Sequence, residues 1–203
     1  MRPTQGLRIF VEGGGNDDDT RSRCRRAFSK LTERAGFGGK MPSFIACGGR
    51  KRAYDMFVTA CKAGEESLLL VDSEGPVAQQ GSPWEHVRTR EGDGWARPNG
   101  ARDEDLHFMV QCMEAWILAD RDALRKHYGA RLQESALPAN SRPPAQVPKR
   151  DLLAALEHAT RNAGDYSKGK AAFTLLALVK PGTLTCWWAK RFFAEIEARA
   201  PRA

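Results

Sequence analysis

Short apolar runs alternate with amphipathic segments along the first part of the chain. The apolar runs contain little polar alternation, which is typical of strands buried on both faces of a sheet. The predicted strands are 7–11, 43–47, 67–72 and 107–113. Segments 17–35 and 50–61 lie between the first three strands and carry apolar residues at helical spacing. This order predicts an α/β fold with a mostly parallel central sheet flanked by helices.

The last third of the chain has the pattern of helices only. We expect helices over 149–163, 170–179 and 185–199, after a shorter one that begins at Asp120 and ends before Gly129. In the final helix, Trp188, Phe192 and Ile196 recur every four residues, which indicates a face that packs into the core. The predicted organisation is an α/β core (1–135), a proline-rich linker (136–148) and a C-terminal helical part packed on the core (149–203).

Residues 75–105 interrupt the pattern with glycine, proline and charged residues, and only a short helix is expected, around 84–87. A loop this long inside a compact domain is usually functional or disordered.

Acidic residues follow three of the predicted strands. Asp72 and Glu74 end the central strand two residues apart, so both carboxylates project to one side. Glu12 follows the first strand, and Glu114 follows the fourth. Parallel strands bring such positions to one edge of the sheet, where α/β proteins place their chemistry. Clustered carboxylates favour Mg²⁺ or Mn²⁺ over zinc. The alternative is that these acids are ordinary polar residues of strand-end turns.

The composition favours an acidic partner. Lysine and arginine number 32 against 25 acidic residues, which gives a formal net charge of +7. Such a surplus suits nucleic acid, and candidate phosphate contacts lie at the starts of the first two helices, at Arg21, Arg25, Arg50 and Arg52. The alternative is that these side chains only form the solvated face of each helix.

Several classes of chemistry find no support in the sequence. The five cysteines include no CxxC pair and the four histidines have no zinc spacing. We find no Ser–His–Asp arrangement and no GxxxxGK[ST] loop, so ATP hydrolysis of the P-loop type is not expected. The odd cysteine count indicates reduced thiols. With neither a signal peptide nor a membrane span in sight, we expect a cytoplasmic protein.

The strand end Glu12–Gly13 and the triplet Asp72–Ser73–Glu74 resemble the signature of TOPRIM domains, the metal-dependent modules of topoisomerases, primases and the overcoming-lysogenization-defect (OLD) nucleases. More closely, the chain resembles small stand-alone TOPRIM-like proteins whose genes often neighbour ATPases in bacteria. The segment 113–120, which begins Met–Glu–Ala–Trp, is similar to theirs. So are two basic stretches around Lys149 and Lys168.

This resemblance implies a TOPRIM-like Rossmann-type fold. It also implies a Mg²⁺- or Mn²⁺-dependent nuclease that acts on DNA or RNA. Its metal ligands would be Glu12, Asp72 and Glu74, while Glu114 would orient a ligand or water. Lys168 would face the transition-state charge, and Lys149 would contact nucleic acid. The resemblance further implies a partner ATPase of the ABC or AAA type, a role in anti-phage defence and no membrane association, and it leaves a homo-oligomer open.

Two features depart from the family pattern. Nuclease relatives often carry EGxxE, whereas this chain has Asn16 at the second acidic position, so Asp17 or a neighbouring aspartate would have to substitute. The usual DxD is here Asp72–Ser73–Glu74. A non-catalytic nucleic-acid-binding or regulatory subunit of a partner ATPase is therefore the main alternative. A nucleotidyl- or phosphotransferase would need a nucleotide site at the glycines after Glu12.

Overall fold

The fold is built on a four-stranded parallel sheet. The structure is a computed structural model and describes residues 6–39, 41–164, 166–167 and 169–199. The strands, in chain order, are β1 (Arg8–Val11), β2 (Ser43–Ala46), β3 (Ser67–Asp72) and β4 (Leu106–Met109). Their spatial order is β2–β1–β3–β4, and each neighbouring pair is parallel. The α/β fold expected from the sequence is therefore confirmed.

The central strand β3 is buried on both faces. Leu68 and Leu70 pack into one hydrophobic cluster, while Leu69 and Val71 pack into the other on the opposite face. Because side chains alternate across a strand, an unbroken apolar run is what a strand needs when both of its faces are covered.

Helices cover the two faces unequally. Helices α2 and α3 contribute to the smaller cluster, which contains Phe57 and Trp84. The larger cluster on the other face receives side chains from α1 and from α4 to α8. The helices are α1 (Asp18–Thr32), α2 (Arg50–Lys62), α3 (Pro83–Thr89), α4 (Met113–Ala119), α5 (Arg121–Tyr128), α6 (Lys149–Thr160), α7 (Lys170–Leu176) and α8 (Trp187–Arg199). The helices beyond residue 149 thus share one core with the sheet.

Helix α8 covers the β4 edge of the sheet. The expected inward stripe is confirmed, since Trp188, Phe192 and Ile196 are all buried. On the same helix, Arg191 donates a hydrogen bond of 2.8 Å to the backbone oxygen of Leu106 in β4. This contact satisfies a carbonyl on a strand edge that has no further strand beside it.

The fourth strand is shorter than expected. It was predicted to run over 107–113 and to deliver Glu114 at its end, but it ends at Met109, and Glu114 lies in the first turn of α4. Apart from Glu114, this helix is apolar all round, and it is buried on nearly every side. Periodicity cannot distinguish such a helix from a buried strand.

None of the described helices combines the length and apolar character that spanning a membrane requires. All five cysteines are free thiols, and Cys24, Cys47 and Cys112 are buried.

A glycine turn joins β1 to α1 and contacts the end of β2. Gly13 and Gly48 exchange two backbone hydrogen bonds, of 2.8 and 2.7 Å. Gly48 has a φ of +78°, and a Cβ built there would lie 2.6 Å from the backbone oxygen of Gly15. Both the conformation and the space at this position therefore require glycine.

We expect Gly48→Ala to destabilise the protein by about 2 kcal/mol or more, since alanine is strained at positive φ and its methyl group would push Gly15 away. That loss should lower the melting temperature in a thermal-unfolding measurement by about 4–8 °C. Gly49→Ala is the matched control, because Gly49 has a φ of −77° and a Cβ there would meet nothing within 4 Å. Equal melting temperatures for the two variants would contradict this assignment.

Candidate functional site

Three carboxylates meet at the carboxyl ends of β1 and β3. One oxygen from each of Glu12, Asp72 and Glu74 lies within 4.8 Å of the others. The parallel pairing of β1 with β3 places Glu12 beside the end of β3. There Glu12 Oε2 accepts a hydrogen bond of 3.1 Å from the backbone N–H of Asp72. The edge of the sheet thus assembles the three acids that the sequence singled out.

The backbone positions the other two carboxylates. Asp72 Oδ1 accepts a hydrogen bond of 2.9 Å from the backbone N–H of Met113, the first residue of α4. Glu74 has a φ of +64°, which among the described residues is the one positive φ outside glycine. Its backbone N–H donates to the backbone oxygen of Gln111 at 2.9 Å. A non-glycine residue held in this region is strained, and such strain concentrates at functional sites.

Lys149 places a positive charge among these acids. Its ammonium group donates to Asp72 Oδ2 at 3.0 Å and to Glu74 Oε1 at 2.6 Å. Burial acts to lower the pKa of Lys149, whereas the two carboxylates act to raise it. Their effect is the larger, so the net shift of the pKa is upward and the side chain stays charged. Lys149 was expected to contact nucleic acid. Its observed partners are two of the three clustered acids.

Arg50 also points inward. It donates to Glu12 Oε2 at 3.2 Å and to the backbone oxygen of Asp72. On its other side it forms a bidentate pair with Asp93, with distances of 2.8 Å from Nε and 2.6 Å from Nη2. Its guanidinium lies 4.8 Å from the ring centre of Trp95. These contacts favour a positioning role for Arg50 over the phosphate contact expected from the sequence.

Glu114 occupies a buried position next to the cluster. Its Oε1 accepts a hydrogen bond of 2.9 Å from the hydroxyl of Tyr166. Burial and the charge of Glu114 raise the pKa of Tyr166, so the phenol stays protonated and remains a donor. The backbone N–H of Tyr166 is in turn held by Thr160 Oγ1 at 2.8 Å. Glu114 is therefore fixed in place by the C-terminal helical part of the chain.

These groups line a cavity of about 600 Å³, which we name the acidic pocket. Glycines of the turn after β1 form one wall, and α4 and α7 form others. Its lining includes Glu12, Asp72, Glu114 and Lys149, together with Gly13–Gly15, Asp17, Thr20, Ser167, Gly169 and Lys170. The pocket is large enough for a small ligand or for one segment of a polymer.

A comparison of the chain with protein-family models matches residues 11–197 to a domain of unknown function, DUF4276. The chain belongs to the DUF4276 family. No curated protein and no solved structure matches it.

The other residues predicted for the site take different places in this DUF4276 chain. Lys168 lies outside the described residues, although its neighbours Ser167 and Gly169 line the acidic pocket. Asp17, considered as a substitute ligand in place of Asn16, instead caps α1 by accepting from the N–H of Thr20 at 2.8 Å.

The three remaining arginines lie on α1 and α2. Arg25 and Arg52 are exposed and form no ion pair within the described part of the chain. Arg21 is more buried, and its Nη1 lies 3.6 Å from Oδ1 of Asp18. The charges of Arg21 and Arg52 both act to lower the pKa of Cys47, which places the two side chains near the same thiol. Burial outweighs them and raises that pKa to about 11.

Sequence reasoning missed the residues that support Arg50. Asp93 and Trp95 belong to the long glycine-rich segment 75–105. This segment has neither the helical nor the strand periodicity of apolar residues that would mark a buried position. Trp95 nevertheless stacks on Tyr54 with 4.5 Å between the ring centres, and the side chain of Asp93 is buried. The unusual length of this segment was the one available signal.

Burial and neighbouring carboxylates raise the pKa values of Asp72 and Glu12 in the DUF4276 site. For Asp72, burial acts first and the charge of Glu12 second, and together they raise its pKa from 3.8 to about 7 in spite of Lys149. Burial also raises the pKa of Glu12, which Arg50 offsets in part and Glu74 increases. Ionising these acids in the folded protein therefore costs stability as the pH rises above their ordinary values.

We expect Glu12→Gln to stabilise the protein in EDTA, because glutamine keeps an acceptor for Arg50 and for the N–H of Asp72 but removes a repelling charge. Differential scanning calorimetry should show a melting temperature about 3 °C higher near neutral pH. The gain should shrink as the pH falls towards 4.5, the ordinary pKa of Glu12, where wild-type carboxylates take up protons.

Glu85→Gln is the control for this prediction. Glu85 is exposed and pairs with Arg88 at 2.6 Å, so its loss should leave the melting temperature nearly unchanged or slightly lower. A destabilised Glu12→Gln variant would show that the Arg50 ion pair outweighs the repulsion among the acids.

Proposed function

We propose that this protein is a Mg²⁺- or Mn²⁺-dependent nuclease that cleaves phosphodiester bonds in DNA or RNA. The observation that carries the proposal is the cluster of Glu12, Asp72 and Glu74 at adjacent strand ends, with one oxygen from each within 4.8 Å. The resemblance of the same residues to the TOPRIM signature supports the reaction class. The acidic pocket beside them provides room for a phosphate and its neighbours.

The donor set suits a hard divalent cation. All three side chains offer carboxylate oxygens, which Mg²⁺ and Mn²⁺ prefer. Ligands on opposite sides of Mg²⁺ lie about 4.2 Å apart, so the widest spacing here would need to contract by about 0.6 Å. Side-chain rotation can supply such a small change. A cation bound there would activate a water molecule and neutralise charge on the scissile phosphate.

The chain's own residues have separate tasks in this proposal. Arg50 holds Glu12 and the end of β3 in position through its contacts with Asp93 and the Asp72 backbone. Glu114, fixed by Tyr166, faces the same pocket and would orient a water molecule. Lys149 would meet the negative charge of the phosphate, a role it could share with Lys168.

We expect Asp72→Asn to abolish metal-dependent stabilisation and cleavage together. Mn²⁺ should raise the melting temperature of the wild-type protein, because a ligand that binds only the folded state stabilises it, and the variant should lose this increase. Its cleavage rate on mixed single- and double-stranded nucleic acids should fall about a hundredfold or more, the scale seen when a group that stabilises transition-state charge is removed.

Asp19→Asn serves as the control for this experiment. Asp19 is exposed on α1 and pairs with Arg23 at 2.9 Å, so both readouts should match those of the wild type. If Mn²⁺ does not change the melting temperature of the wild-type protein, the proposed metal site is contradicted. Cleavage that survives in Asp72→Asn would place the chemistry elsewhere.

We further propose that the exposed arginines Arg25 of α1 and Arg52 of α2 bind the nucleic-acid backbone. Arg25 and Arg52 have no acidic partner among the described residues. Both lie on helices that begin at the carboxyl edge of the sheet, whose turns after β1 and β2 line the acidic pocket. Free cations beside an acidic site would guide a polyanion towards it.

Reversing the charge of Arg52 should weaken binding to duplex DNA and reduce its dependence on salt. Each phosphate contact that is lost should make the slope of log affinity against log salt shallower by about 0.9. Fluorescence anisotropy over a salt series measures both quantities. Lys62→Glu is the matched control, since Lys62 is exposed at the other end of α2, about 15 Å away along the helix. Equal effects of the two reversals would indicate only a general loss of charge.

A non-catalytic role has one observation in its favour. Lys149 already occupies one oxygen of Asp72 and one of Glu74, so the cluster is partly neutralised without a metal. On this alternative, the protein would bind nucleic acid or regulate a partner ATPase of the ABC or AAA type. Tight binding without cleavage in Mg²⁺ or Mn²⁺, alone and with such an ATPase, would decide for the alternative.

A further inference from the structure

A second cavity of about 540 Å³ lies beside the acidic pocket. We name it the tryptophan pocket. The indole rings of α4 and α8 form its walls, and the loop after β3 and the segment before α6 close it. The residues that matter here are Trp116, Trp187, Trp188, Gln111, Pro76 and Val77. The lining is thus mainly aromatic and apolar, with a few polar groups, as in typical sites for small planar molecules.

Gln111 supplies a polar side chain to the lining of the tryptophan pocket. It is 5% exposed and lines the tryptophan pocket, yet its side-chain amide makes no hydrogen bond with the described residues. The indole N–H groups of Trp116 and Trp188 are also buried and unpaired among these residues. Buried polar groups are nearly always hydrogen-bonded. A ligand with both donors and acceptors would satisfy the amide.

Trp187 is exposed at the rim of this pocket. Its side chain is 38% exposed, and the other large apolar residue found exposed in the described chain is Met41, at 37%. The ring of Trp187 meets that of Trp188 edge to face, with 4.8 Å between the centres. One face of an exposed indole is the usual platform on which proteins stack the bases of single strands.

Neighbouring residues of the same chain segments line the two pockets. In α4, Glu114 lines the acidic pocket and the next residue, Ala115, lines the tryptophan pocket. Past β3, Pro76 of the tryptophan pocket follows two residues after Glu74 of the acid cluster. Around the start of α6, Gln146 lines the tryptophan pocket and Lys149 lines the acidic pocket. A polymer whose backbone lies at the acids could therefore reach the tryptophan pocket with an adjoining group.

We infer that the tryptophan pocket holds one unstacked base of a single-stranded nucleic acid whose backbone lies at the acidic pocket. The inference rests on the proposed nuclease function and names its substrate class. A base has a planar face for Trp187 and an edge of donors and acceptors for the amide of Gln111. In duplex nucleic acid both of these surfaces are occupied by stacking and pairing, so single strands or frayed ends are preferred.

The test measures binding without cleavage. A labelled single-stranded oligothymidine of about 10 nucleotides is titrated in EDTA and in Ca²⁺ by fluorescence anisotropy. Abasic sites then replace its bases one position at a time. In the wild type, the affinity should fall at one or two neighbouring positions only, by about tenfold. Trp187→Ala should weaken binding to the intact strand about tenfold and make the abasic profile flat.

Three variants complete the experiment. Trp187→Phe should restore most of the affinity, because a smaller ring still stacks. Gln111→Leu should weaken binding and keep the position of the abasic effect, since the stacking surface remains. Met41→Ala removes the other exposed apolar side chain and should have no effect. An equal loss from Met41→Ala, a flat wild-type profile, or no binding in either buffer would overturn the inference.

Two outcomes distinguish the base pocket from the nuclease activity. Position-dependent binding without cleavage in Mn²⁺ would leave the base pocket in place and reject the nuclease. Cleavage in Mn²⁺ with a flat abasic profile would retain the nuclease and reject the base pocket.

Discussion

The contacts of Lys149 with Asp72 and Glu74 hold together a group of charges that would otherwise repel one another. Two carboxylates about 4 Å apart repel by several kcal/mol in a partly buried setting, whereas an ammonium between them attracts both. Arg50 likewise offsets the charge of Glu12, to which it donates a hydrogen bond. The acid cluster can therefore exist in the folded protein without a metal ion, at the cost of a raised pKa for Asp72.

These two cations come from different parts of the chain, so the acid cluster is completed by both parts. Arg50 begins α2, within the α/β core, while Lys149 is the first residue of α6, beyond the proline-rich segment. Glu114 likewise depends on Tyr166, from the segment between α6 and α7. The residues expected to form an appended helical part thus complete the pocket that the sheet begins.

The fold and the three clustered acids could be predicted from the sequence because both follow from local rules. Apolar runs reveal buried strands, and parallel strands deliver their final residues to one edge. The partners of the acids could not be predicted in this way. Lys149 lies 77 residues from Asp72 and Asp93 lies 43 from Arg50, and no periodicity connects such pairs. Glu114 was predicted to follow a strand and not to lie in a helix, because a helix buried all round has no polar face to reveal it.

Helix α4 links the chemistry of the site to the shape of its surroundings. Its first backbone N–H binds Asp72, its second residue is Glu114, and its next residues form a wall of the tryptophan pocket. A short helix that is buried this completely can shift only as a rigid unit. Any group that enters one pocket and displaces α4 must therefore also move the backbone that orients Asp72. This mechanical link would couple a group bound in the tryptophan pocket to the proposed metal site at Asp72.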